Sequence, residues 1–263
     1  GKTLNQGELV KVVSPQDHTQ QVGSIYFADG EAAELAITTA HQAFPEWNRT
    51  PVEARAEALE KFADLMEEHK HELIALCTLE AGKLLQDGID EVREAVDFCR
   101  YYAIEARKLH AYHGPLAGPT GELNELFVQG RGVFACISPW NFPLAIFTGQ
   151  VVAALVTGNT VIAKPAEQTS LVAYRAVQLM LQAGIPAGAI QLLPGRGAEV
   201  GSKLSSDERV TGVCFTGSTD TAKAINRALA GRDGAIATLI AETGGQNAMI
   251  VDSTPLPEQV VKD

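Results

Sequence analysis

From Val133 onward the chain alternates short apolar runs with stretches of helical periodicity, and this rhythm restricts the fold more than any other feature. Val133–Ile137, Thr160–Ala163, Ile190–Leu193, Val210–Phe215 and Ala237–Ala241 read as strands. Between them, Leu144–Val156, Thr169–Ala183, Glu199–Leu204 and Thr219–Leu229 read as helices. Gly or Pro marks most strand ends. Strands that are apolar throughout need cover on both faces, so the pattern predicts an α/β fold, a Rossmann-like parallel sheet with helices on both faces. Such a sheet takes its ligands at the carboxyl ends of the strands. No G-x-G-x-x-G opens any of these units, so a dinucleotide would bind without the usual fingerprint.

Ahead of the sheet the chain predicts a helical segment. Glu31–Phe44 is Ala-rich and ends near Pro45. Pro51–Leu85 carries Ala58, Leu59, Phe62, Leu65, Met66, Leu73, Leu76 and Leu79 at spacings of three and four. Ile89–His110 repeats the pattern with Val92, Val96, Cys99 and Ala103. Pro115–Gly121 reads as a loop, and Glu122–Val128 alternates in part, as a strand with one wet face would. The expected organisation is a helical segment over 1–121, a short strand-bearing stretch over 122–132, the sheet domain over 133–241 and the start of a further domain over 242–263. The first residue is Gly rather than Met, and Pro257–Asp263 reads as the opening turns of a helix, which suggests a segment of a longer polypeptide.

Composition narrows the function. At 263 residues, 46% hydrophobic and 20% charged, the chain has a globular profile. A net charge of −11 argues against a nucleic-acid partner. No apolar run is long enough to span a bilayer, and no signal peptide is visible. Cys77, Cys99, Cys136 and Cys214 lack C-x-x-C spacing and read as reduced thiols of a cytoplasmic protein.

Five strand ends carry distinctive loops. In Pro139-Trp140-Asn141-Phe142-Pro143 the Asn141 amide stands between rigid prolines, where it can donate to an oxyanion or simply build a turn. In Lys164-Pro165-Ala166-Glu167-Gln168-Thr169 a carboxylate three residues after a lysine suits a ribose diol and repels a 2′-phosphate, or caps a helix beside a solvated lysine. Leu193-Pro194-Gly195-Arg196-Gly197 lets a backbone approach a ligand closely, or turns the chain. In Phe215-Thr216-Gly217-Ser218-Thr219 a hydroxyl caps the next helix, whose N–H groups can meet a pyrophosphate. In Glu242-Thr243-Gly244-Gly245 the carboxylate is a candidate general base, with a raised pKa if buried, or part of a salt-bridged turn.

Taken in order, P-W-N-F-P, K-P-A-E-Q-T, F-T-G-S and E-x-G-G resemble the aldehyde dehydrogenase superfamily, from about Gly23 to the end of the chain. Glu242-Thr-Gly-Gly-Gln-Asn247, in place of the commoner E-L-G-G-K, is similar to the Δ1-pyrroline-5-carboxylate dehydrogenase branch found within bifunctional proline-utilisation proteins. The resemblance implies NAD-dependent oxidation of L-glutamate γ-semialdehyde to L-glutamate. A cysteine thiolate attacks the aldehyde, Asn141 and a backbone N–H hold the oxyanion, hydride passes to NAD+, and Glu242 activates the hydrolytic water. It implies cofactor contacts at Lys164 and Glu167 for the adenosine ribose, Trp140 for the pocket wall, and Phe215, Gly217 and Ser218 near the pyrophosphate. Ile137, Ser138 and Gly195 are placed with them. It further implies FAD only in a separate proline dehydrogenase domain, a homo-oligomer, and an oligomerisation hairpin that includes 122–132.

The same resemblance puts the nucleophile further along than the 21 residues that follow Glu242, and none of those is Cys. The four cysteines present read as inert buried thiols. The chain alone is therefore expected to be inactive and to expose apolar surface. Another aldehyde as substrate, a catalytically silent NAD-binding module, and an assembly fragment are the competing readings.

Overall fold

The computed structural model describes Asn5, residues 7–112 and residues 114–262. Its centre is a five-stranded sheet of β3 (Val133–Ile137), β4 (Thr160–Lys164), β5 (Ile190–Leu192), β6 (Val210–Thr216) and β7 (Thr238–Glu242), in the order β5-β4-β3-β6-β7. Every pairing is parallel. The order doubles back at β3, so the carboxyl ends of β3 and its neighbours β4 and β6 face one crevice, the place where open α/β sheets bind ligands.

The strands show why this sheet forms. All five side chains of β3 and all five of β4 are buried. Alternate residues serve opposite faces. Phe134, Cys136, Val161 and Ala163 enter one core, with α2 (Val52–Glu68), α3 (Lys70–Ala81), α4 (Leu85–Leu109), α5 (Ala145–Val156) and α6 (Ser170–Gln182). Val133, Ala135, Ile137, Ile162, Val213 and Phe215 enter the other, against α1 (Gly30–Arg49), α7 (Ser202–Ser206) and α8 (Thr219–Ala230). Helices thus cover both faces, as the continuous apolar runs require. A short final helix, α9, spans Pro257–Lys262.

Four differences from the sequence expectation have local causes. The N-terminal part is not helical from its start: β1 (Glu8–Ser14) and β2 (Asp17–Phe27) form an antiparallel hairpin. Helix α1 runs through Pro45 because buried Trp47 anchors its last turn, donating its indole N–H to the Leu155 carbonyl at 3.0 Å. The long helix expected over Pro51–Leu85 breaks at His69 into α2 and α3. The strand expected at Glu122–Val128 is absent. A single bridge joins Leu116 to Asn124, and Leu123, Leu126 and Phe127 lie exposed with no second strand to pair with among the described residues.

Apolar exposure also gathers near the far edge of the sheet, at Ile236, Ile240 and Ile250. Among the described residues, no helix is long and apolar enough to cross a membrane.

Candidate active site

A cleft of about 730 Å³ opens at the carboxyl ends of β3, β4, β6 and β7. Ser138, Trp140, Asn141, Lys164, Glu167, Phe215, Gly217, Ser218 and Glu242 all line it. The sheet register brings them together: Ile137 pairs with Lys164 and with Phe215, and Thr216 pairs with Glu242. Residues far apart in the chain therefore end on one rim.

Two sequence candidates stand elsewhere. The Ile137 side chain is buried in the core beneath α1, α7 and α8. Gly195 is off the cleft wall, and packing explains it: a Cβ there would come within 2.6 Å of Val200 Cγ2 and 3.0 Å of the Ala28 carbonyl oxygen.

Lys164 ends β4 and is only 4% exposed, so it is not the solvated lysine of an ordinary capping turn. Its Nζ donates to the Pro165 carbonyl at 3.1 Å, and burial holds its ammonium pKa below the usual lysine range. An ammonium has three donors. With one acceptor among the described residues, Lys164 has N–H groups to offer a ligand hydroxyl. Ser138 Oγ is buried without a partner among the described residues, a second polar atom that a ligand can satisfy. Glu167 is half-buried on a short 3-10 turn, Glu167–Thr169, and its Oε1 accepts the Gly197 N–H at 2.8 Å.

Ser218 caps α8, as its type and place predict: its Oγ accepts the Thr221 N–H at 3.2 Å. Ser218, Thr219 and Thr221 line the cleft, so the positive end of a 12-residue helix opens into it. A ribose diol fits beside Lys164 and Glu167, and a pyrophosphate fits at the start of α8.

Asn141 and Glu242 stand on the other side. Asn141 is exposed, and Trp140 beside it is 58% exposed. Glu242 is exposed too, so it is not the buried carboxylate the sequence allowed for. It closes an edge strand whose last three residues are exposed. Its backbone carbonyl accepts the Gly217 N–H at 3.1 Å, which ties the Glu242 end to the α8 loop.

None of the four cysteines lines the cleft, and all are free. Burial pushes the Cys77 thiol up to about 12 and raises Cys99 further. Cys136 is raised by its contact with Cys214 across the β3–β6 register and by burial. Cys214 is half-buried rather than buried. Among the described residues no cluster of His, Cys, Asp and Glu suits a metal ion.

Three contributors escaped the sequence reading. Gln150 Nε2 donates to Thr216 Oγ1 at 3.0 Å, steadying the β6 rim. The signal was an amide within the otherwise apolar run of α5. Glu91 and Lys83 grip the Asn141 loop, and Glu91 left a trace: an acidic residue beside Val92, four before Ala95, in the apolar stripe of α4.

The aldehyde dehydrogenase family model matches residues 3–262, and the chain belongs to that family. It is 49% identical over 98% of its length to the bifunctional protein PutA of Klebsiella aerogenes, covering 19% of that protein. It is 43% identical over 96% of its length to the 1-pyrroline-5-carboxylate dehydrogenase of Geobacillus kaustophilus, covering 49% of it. A crystal structure of 1-pyrroline-5-carboxylate dehydrogenase from Thermus with bound NAD superposes with a TM-score of 0.89 at 36% identity, over 93% of this chain and 48% of that one. The chain thus spans about a fifth to a half of the length of these relatives.

Proposed function

We propose that the cleft is the nucleotide-binding side of an NAD-dependent aldehyde dehydrogenase site, and that the full-length protein carrying it oxidises L-glutamate γ-semialdehyde to L-glutamate in proline catabolism. The observation that carries this reading is the meeting of Asn141 and Glu242 in one cleft with Lys164, Glu167 and the start of α8. The named relatives, at 49% and 43% identity, support the substrate.

In this reading Lys164 and Glu167 hold the adenosine ribose, α8 faces the pyrophosphate, and Trp140 forms a wall. NAD+, when bound, supplies the hydride acceptor. Asn141 donates its amide N–H to the oxygen that gains charge when the aldehyde is attacked, a contribution of about 2.7–4 kcal/mol for a well-placed donor. Glu242 takes a proton from the water that releases the acid. The attacking cysteine and a surface that closes over Glu242 belong to the remainder of the longer protein. The reading also includes a cytoplasmic setting, in keeping with four free cysteines, and a homo-oligomer that buries Leu126 and Phe127. A net charge of −11 assigns no nucleic-acid contact to this segment. FAD enters only if the full-length protein carries a proline dehydrogenase domain.

The test is NAD+ reduction by the purified full-length protein. Faster turnover of L-glutamate γ-semialdehyde than of succinate semialdehyde or aliphatic aldehydes supports the reading. Turnover only of the others moves the substrate, and no turnover of any aldehyde removes the proposal.

A further inference from the structure

Lys83 stands where the Asn141 loop crosses the end of α3. That helix stops at Gly82, whose φ of 70° is left-handed. The Gly82 N–H donates to the Thr78 carbonyl at 3.1 Å and the Lys83 N–H to the Cys77 carbonyl at 3.3 Å. This cap fixes where Lys83 leaves the helix. Its ammonium then makes three contacts. It donates to the Asn141 backbone carbonyl at 2.9 Å, pairs with Glu91 Oε1 at 3.2 Å, and lies 4.4 Å from the centre of the Phe142 ring.

Glu91 braces the arrangement from below. Its side chain is 1% exposed, and Oε2 accepts the N–H groups of Leu144 and Ala145 at 3.1 and 2.8 Å. One carboxylate thus holds the start of α5 and the ammonium that holds Asn141. Pro139 and Pro143 have no N–H to anchor the loop. Upstream of them, the Ser138 N–H donates to the Lys164 carbonyl at 3.2 Å.

We propose that Lys83, braced by Glu91, is a positioning residue for Asn141, fixing the peptide from which the Asn141 amide is aimed at the substrate oxyanion. The proposal rests on the aldehyde dehydrogenase reading of the cleft. An oxyanion donor lowers the barrier only when it is held in place before charge develops. The Asn141 side chain has no hydrogen-bond partner among the described residues, so its aim depends on its backbone, and the Lys83 side chain grips that backbone. Lys83 does not line the cleft, so it acts through the loop rather than on the substrate.

A double-mutant cycle in the full-length protein tests this, with Lys83→Met, Asn141→Ala and the pair. Lys83→Met lowers kcat about tenfold to a hundredfold, as a small misplacement near the reacting atoms does, and leaves NAD+ affinity unchanged. In the Asn141→Ala background the same substitution lowers kcat by no more than about twofold, because the group it positions is gone. Lys83→Arg, which keeps the charge and the donor, restores most of the rate. Thermal melting and NAD+ titration confirm that each variant folds. Should Lys83→Met fail to fold, Lys83→Gln takes its place in the cycle. A Lys83→Met enzyme as active as wild type overturns the role, and so does an equal loss in both backgrounds. A wild-type protein that oxidises no aldehyde overturns the reading beneath it, which separates the two failures.

Discussion

Glu167 and Gly197 are joined across two strand ends: the Glu167 carboxylate, after β4, accepts the Gly197 N–H, after β5, at 2.8 Å. The residue proposed to hold the ribose therefore also anchors the π-helical turn Gly197–Gly201. Binding and loop order meet in a single carboxylate.

Glu167→Gln separates the two. The amide oxygen still accepts from Gly197, but the charge that repels a 2′-phosphate is lost. The preference for NAD+ over NADP+ should shrink by about tenfold, or about 1.4 kcal/mol. Calorimetric titration with both nucleotides measures it, and an unchanged ratio counts against Glu167 as the ribose contact.

Glu80 should make stability depend on pH. Its carboxylate accepts the Leu171 and Val172 N–H groups at 2.7 and 2.9 Å, yet burial dominates and raises it to about 7. In the unfolded chain a glutamate titrates near roughly 4.3. Between those values the folded state keeps a proton that the unfolded state has released, so stability falls as pH rises through this window and levels off above it. Urea unfolding from pH 4 to 8 should show this slope in the wild type and a flatter one in Glu80→Gln. Identical slopes would remove Glu80 as the cause.

Arg55 is 2% exposed and donates to the carbonyls of Val156, Asn48 and Thr50 at 2.8, 3.1 and 2.5 Å. It ties the end of α5 to the turn before α2. Arg55→Met keeps the apolar stem and leaves buried carbonyls unpaired, at a cost of about 3 kcal/mol or more. Denaturant unfolding should show a clear drop in midpoint. A midpoint within error of wild type would mean that water replaces the guanidinium.

The sheet and most of the cleft were legible because both faces of β3 and β4 are buried, which demands unbroken apolar runs with loops at their ends. Lys164 and Glu242 close two of those strands and Asn141 and Ser218 stand just past two others, so their order along the chain announced their meeting. The hairpin β1–β2 was not legible: β2 is exposed over most of its length, and without a buried face there is little apolar alternation to read. Pro45 misled for a different reason, since its local preference is overridden by the burial of Trp47. Lys83 could not be found by spacing. Its role depends on a left-handed cap at Gly82 and on a carboxylate from another helix, which only the fold brings together.

In the proposed reaction Asn141 and Glu242 act in succession on one aldehyde-derived centre. Rapid-mixing measurement of NADH formation by the full-length Glu242→Gln variant tests it most directly. The expected result is a burst of one NADH per active site, an acyl-enzyme visible by mass spectrometry and a depressed steady state, with the burst itself slowed when Asn141→Ala is added. A steady state equal to wild type, with no burst and no acyl-enzyme, would contradict it.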